Sequence, residues 1–136
     1  MNDEQRRGIE WECARLINSY ANLSDEARWR DVCNLFTRDG VLVAALGPRQ
    51  AIRGREALLK NFLARPRAAT RHVCSNIVVL VENEGWASAS SLIQRFDACN
   101  GAGAQPVLAE FEDQFTIEDG AWRFAERRGM LCYAPA

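Results

Sequence analysis

Phe111-Glu112-Asp113-Gln114-Phe115-Thr116-Ile117-Glu118-Asp119-Gly120-Ala121-Trp122-Arg123-Phe124 is the stretch whose reading decides the fold. Val107, Ala109, Phe111, Phe115 and Ile117 alternate along it, which predicts a strand over Pro106 to Glu118 with one buried face. Asp119-Gly120 is a tight-turn pair, and Ala121 to Leu131 resumes strand-like chemistry, so the chain doubles back as a hairpin. Upstream, Arg71 to Glu82 and Trp86 to Asp97 flank the turn Asn83-Glu84-Gly85, and Asn100 to Ala104 forms a glycine-rich loop. Four long strands joined by turns predict an antiparallel meander.

The first half of the chain has the other period. Ile9, Cys13, Leu16, Ile17 and Tyr20 make one apolar stripe on a helix from about Glu4 to Asn22. Ser24-Asp25-Glu26 offers an N-cap and a first-turn acid for a second helix, whose stripe is Trp29, Val32, Cys33 and Phe36 and whose end is Asp39-Gly40. Val41 to Val43 and Gln50 to Arg53 predict two short paired strands about the turn Gly47-Pro48. Gly54-Arg55-Glu56 opens a third helix, carrying Leu58, Leu59, Phe62 and Leu63 and stopped near Pro66. Helices first and sheet second is the α+β class.

Length and composition bound the function. A chain of 136 residues with 48% apolar and 26% charged side chains predicts one domain over residues 1–136, with a core and room for one pocket. Formal net charge is −1, so no polyelectrolyte partner is implied. Residues 1–68 carry 12 basic against 9 acidic side chains, and residues 69–136 carry 5 against 9. The cluster Arg49, Arg53, Arg55, Lys60, Arg65, Arg67 and Arg71 lacks interleaved aromatics, so it reads as a solvated rim and nucleic-acid binding is not expected. One histidine and no CxxC pair argue against a metal site, and no cofactor is expected. Five scattered cysteines (13, 33, 74, 99 and 132) suit reduced thiols in the cytoplasm. The polar N-terminus lacks a signal peptide's apolar segment, and no run is long enough to span a membrane.

Three residues stand out chemically. His72 is the only side chain whose ordinary pKa lies near neutrality, which suits general acid–base work. The alternative is a structural histidine bonded to a backbone carbonyl or to Asn76. Asp113 interrupts an apolar strand face, so it must be paired, desolvated or protonated; Arg127 and Arg95 on neighbouring strands are the available partners. Tyr20 ends the first apolar stripe, where its ring can pack and its hydroxyl can reach a cavity. Cys74 shares a strand face with His72 unless a bulge intervenes, and an inert buried thiol is the simpler reading.

Several motifs, in this order, resemble those of the nuclear transport factor 2-like superfamily and its SnoaL-like members. They are Leu35-Phe36-Thr37-Arg38-Asp39-Gly40 after the second helix, Gly54-Arg55-Glu56-Ala57-Leu58 at the third, Arg71-His72-Val73-Cys74-Ser75-Asn76, and the closing Phe111-Glu112-Asp113-Gln114-Phe115 with Asp119-Gly120-Ala121-Trp122-Arg123-Phe124 and Arg127. The resemblance spans about residues 10 to 130. It implies a cone-shaped roll in which three N-terminal helices pack on a strongly curved, mostly antiparallel sheet around a pocket. It implies a small hydrophobic, ring-shaped or polyketide-like ligand, with Trp29, Phe62, Asn76, Phe111 and Arg127 as binding residues and His72, Asp113 and Tyr20 as catalytic ones. The chemistry implied is cofactor-free isomerisation, dehydration or cyclisation.

Two departures limit that inference. Against the ketosteroid isomerases, Asp113 and Tyr20 fall on the electrophilic positions, but the catalytic base would fall near Ala44. Against scytalone dehydratases, the second histidine is missing and Ala21 follows Tyr20. Asp25 could enter the mouth of the cone, although capping accounts for it. The Arg-His-x-x-Ser-Asn strand also resembles ring-hydroxylating dioxygenase β-subunits, which implies a non-catalytic partner of an α-subunit as an alternative; a ligand-binding protein without turnover is another. A homodimer or higher oligomer through the outer sheet face is implied as well, with Trp86, Leu92, Phe96, Phe111, Phe115 and Trp122 as the apolar residues available to it.

Overall fold

The computed structural model describes residues 1–66, 68–98 and 106–134; Arg67, Cys99 and the glycine-rich loop lie outside the described residues. Helix α1 (Asp3–Asp25) is followed by α2 (Trp29–Asn34), β1 (Phe36–Val43), β2 (Ile52–Arg53), α3 (Arg55–Leu63), β3 (Thr70–Asn83), β4 (Trp86–Asp97), β5 (Val107–Glu118) and β6 (Ala121–Tyr133). The sheet order is β2-β1-β6-β5-β4-β3. β3 to β6 form the expected antiparallel meander, while β1 joins β6 in parallel. The sheet is α+β in class, mostly antiparallel and not closed, with the helices on one face.

Helix α1 starts on a reciprocal cap: Asn2 Oδ1 accepts from Gln5 N at 2.8 Å and Gln5 Oε1 accepts from Asn2 N at 2.9 Å. Its buried residues are Ile9, Cys13, Ile17, Tyr20 and Ala21, close to the stripe read from the sequence, with Leu16 at its margin. The helix runs three residues beyond Asn22. It ends with Ala27 in the left-handed region at φ 55, Ala27 N donating to Ser24 O and Arg28 N to Leu23 O. That pattern closes a helix C-terminus. Asp25 therefore sits in the last turn of α1 and does not cap α2, which begins after Arg28 without any side-chain cap. The second helix is also shorter than its apolar spacing predicts. It stops at Asn34, and Phe36 belongs to β1, whose parallel pairing with β6 places Phe36 opposite Phe124.

Most of the core lies between α1 and the sheet: Cys13, Ile17, Val32, Phe36, Leu58, Phe62, Phe115 and Phe124 are almost wholly buried in one cluster. Burying a phenylalanine is worth roughly 1.5–3 kcal/mol, so this cluster anchors α1 and α3 on the sheet. A smaller cluster of Ala21, Ile93, Ala109 and Phe111 adjoins Cys74 and Ala45. Two bulges reset which side chains face inward. One, between Ser75 and Val78, turns the inward set of β3 from His72 and Cys74 to Ile77, Val79 and Val81. The other, opposite Gln114 and Phe115, turns that of β6 from Phe124 to Arg127 and Gly129. Phe111 and Phe115 face the helices, so neither is available to an outer-face contact; Phe96 is 42% exposed.

Candidate functional site

The last turn of α1 delivers a carboxylate to the first residues of β3. Asp25 Oδ1 lies 2.5 Å from His72 Nδ1 and accepts from Thr70 Oγ1 at 3.0 Å. Its Oδ2 accepts from the His72 backbone N at 2.9 Å. The Asp25 side chain is 2% exposed and the His72 side chain 19%. An ionised carboxylate can only accept, so Nδ1 is the donating nitrogen, and in the neutral imidazole the lone pair falls on Nε2. Holding both the backbone and the ring of His72 fixes the imidazole against rotation. A carboxylate at a helix C-terminus is electrostatically unfavourable, and no basic residue occupies this last turn. Three hydrogen bonds offset that cost. Asn76, by contrast, is exposed on the bulge at φ 52 and is not the partner of His72.

A second pair spans β5 and β6. Asp113 and Arg127 are direct cross-strand partners, and Arg127 Nε donates to Asp113 Oδ1 at 3.0 Å with both side chains fully buried. Of the two partners open in the sequence, Arg127 is the one used; Arg95 donates instead to Asp97 at 3.2 Å. Burial pushes the Asp113 carboxyl up from 3.8 to about 6, against the pull of Arg127. The guanidinium lies 4.1 Å from the ring centroid of Phe111, 4.3 Å from Tyr20 and 4.9 Å from Phe124. Burial also raises the Tyr20 hydroxyl, with Arg127 and Arg65 opposing it.

Cys74 links the two pairs: its thiol senses Arg127, Asp113 and Asp25, and burial pushes it above the ordinary thiol range. That is the wrong direction for a nucleophile. Trp29 and Phe62 stack at 5.1 Å, with the Arg65 guanidinium 4.8 Å from the Phe62 ring. Two surface clefts lie away from His72. One of about 380 Å³ runs between the start of α1, Glu84 and Trp122, and one of about 410 Å³ lies on the outer sheet face.

The model of the SnoaL-like domain family matches residues 6–128. The chain belongs to the SnoaL-like family. No curated protein matches it in sequence. Among solved structures, this SnoaL-like chain is similar to a candidate scytalone dehydratase from Novosphingobium aromaticivorans, with a TM-score of 0.82 at 20% identity over 97% of this chain and 89% of that one. A nuclear transport factor 2-like protein with a cystatin-like fold, from the same species, gives 0.80 at 22% over 98% and 85%. A hexachlorocyclohexane dehydrochlorinase from Novosphingobium barchaimii gives 0.80 at 16% over 97% and 92%. These likenesses show the shared SnoaL-like fold. No helix among the described residues is long and apolar enough to cross a membrane.

Sequence reasoning singled out His72 but assigned Asp25 to capping. The signal for Asp25 was an acid where a helix end prefers a cation, and it is readable only once α1 is known to continue through Ser24.

Proposed function

We propose that this SnoaL-like protein is a cofactor-free enzyme that removes a proton from a small hydrophobic molecule, by elimination or isomerisation. The observation that carries the reading is the Asp25–His72 contact at 2.5 Å, with the second carboxylate oxygen on the backbone of the same histidine. His72 Nε2 is the base, and Asp25 holds its tautomer and stabilises the imidazolium that forms. Tyr20 and the Asp113–Arg127 pair are the polar groups available to charge that develops on the substrate. Ile93, Ala109 and Phe111 supply apolar contact near Cys74. Dehydration and dehydrochlorination each expel a small molecule from the substrate, and both names among the structural neighbours agree with a base that starts such a loss.

The test is turnover of cyclic β-hydroxy and β-halo carbonyl compounds, followed by NMR. His72→Ala is expected to lower the rate about 100-fold or more; an unchanged rate refutes the assignment.

A second reading rests on the outer sheet face, where Val78, Leu80 and Met130 are 55%, 61% and 54% exposed. It is a partner chain there, a second copy or a dioxygenase α-subunit. Sedimentation of the purified protein, and co-purification from its host, distinguish the two.

A further inference from the structure

Residues 44–51 join β1 to β2 outside any helix or strand. They lie on the apolar cluster beside Cys74. Ala45 packs against Ala21, Ile93, Ala109 and Phe111, which are only 3–8% exposed. The contact is close because β6 presents a glycine there: a Cβ on Gly129 would lie 2.8 Å from Ala45 N and 2.9 Å from Ala45 Cβ. The same glycine holds the far end of the segment, since Arg49 Nη2 donates to Gly129 O at 2.7 Å. Little else ties the segment down. None of the turn and loop hydrogen bonds of the backbone comes from residues 45–50. Arg49 makes the one side-chain hydrogen bond of the segment among the described residues. Gly47, at φ 76, lies between the two contacts, and residues 47–50 are exposed.

The other elements around this cluster are held far more firmly. Ala21 belongs to α1, whose Cys13 and Ile17 are wholly buried in the main core. Ile93, Ala109 and Phe111 stand on strands paired along their length. A segment with few buried contacts and few backbone bonds opens at lower free energy than the elements beside it. We infer that residues 44–51 form a lid over the apolar surface beside Cys74, and that the Arg49–Gly129 bond is its latch. Opening uncovers Ile93, Ala109 and Phe111, and closing seats Ala45 on Gly129 again. The inference rests on the proton-transfer reading only for calling the uncovered surface the substrate's. A molecule that uses this surface must touch side chains that the closed form shields, so the latch sets how often the surface is open to it.

The experiment compares the whole chain with Arg49→Met, which keeps an apolar stem and removes the donors. Thermolysin cleavage between Ala45 and Leu46 reads the opening, because both residues are partly buried while the lid is closed. A hydrogen bond from a charged donor holds opening down about 10-fold or more, so Arg49→Met is expected to be cut there about 10-fold faster. A thiol set under the lid by Ala109→Cys, at a position 4% exposed, is expected to react with iodoacetamide about 10-fold faster once Arg49→Met is added. Cys13 and Cys33, buried in the main core, are expected to keep their rates, read peptide by peptide. The proposal is overturned if Arg49→Met leaves either rate unchanged, or if Cys13 and Cys33 speed up in step, since the whole fold then opens and not the lid. Should Ala109→Cys fail to fold by circular dichroism, the cleavage rate and the two native thiols still decide. Neither readout needs a substrate. Faster opening together with an unaffected His72→Ala turnover would retire the proton-transfer reading and keep the lid, and the opposite pair of results would do the reverse.

Discussion

Replacing Asp25 by Asn removes one charge and almost no volume, and the contacts around it dictate the result. Asp25 accepts from the His72 backbone N, from Thr70 Oγ1 and from His72 Nδ1. An asparagine with its oxygen on the Thr70 side would set its amide against the His72 backbone N–H, donor against donor. Turned the other way, its oxygen accepts from that N–H and its amide donates to Thr70 Oγ1 and to His72 Nδ1. The second orientation satisfies every group, provided that the imidazole moves its proton from Nδ1 to Nε2. The base then has no free lone pair at Nε2. Bonds to a charged acceptor exceed neutral ones by about 1 kcal/mol each, so three of them cost about 3 kcal/mol. Relief at the helix C-terminus returns about 0.3–1 kcal/mol. A folded variant less stable by about 2 kcal/mol is expected, with turnover lower by roughly 10⁴. The chain has one histidine, so a long-range ¹H–¹⁵N spectrum reports this imidazole alone. Nε2 already protonated in the wild type, or a tautomer unchanged by Asp25→Asn, refutes the reasoning.

Two further outcomes follow from the buried groups. The Asp113 carboxyl is raised to about 6 in the fold, so the native state holds a proton that the unfolded chain releases above about 4. Its contribution is therefore fully present below pH 4 and is lost as pH rises through about 6, a change of about 3 kcal/mol. Urea unfolding between pH 4 and 7 is expected to show that decline, and Asp113→Asn to flatten it. Gly129 faces Phe111 and the loop after β1, and a Cβ there would lie 2.8 Å from Ala45 N and 3.0 Å from Phe111 Cε1. Because one of these atoms is backbone, Gly129→Ala is expected to cost about 1–3 kcal/mol by thermal unfolding.

The parts of the fold that depend on local pattern were legible. The alternation over Val107 to Ile117 and the Asp119-Gly120 turn mark the β5–β6 hairpin, and the Ile9 to Tyr20 stripe marks α1. The parallel pairing of β1 with β6 was not, because it joins segments more than eighty residues apart and no turn signals it. The second helix was overextended for a related reason. Phe36 keeps helical spacing with Val32 and Cys33, yet a sheet position opposite Phe124 buries it completely. At the site, His72 was legible because it is unique, while Asp25 was hidden in a tripeptide whose residue types also suit a helix cap that the fold does not form. Arg127 faces inward only because a bulge breaks the alternation set by Trp122 and Phe124, and bulges leave little trace in one sequence.

The Asp25 carboxylate does one more thing at the margin of the sheet. β3 is the terminal strand, and the His72 N–H that Asp25 holds points away from β4. An unpaired N–H on an outer strand is a template on which another chain can add a strand. The group that holds the His72 imidazole is therefore also a plug against self-association at that end of β3. Asp25→Ala, which uncovers that N–H, should lose solubility together with activity, whereas Asp25→Asn, whose oxygen still accepts from it, should lose activity alone.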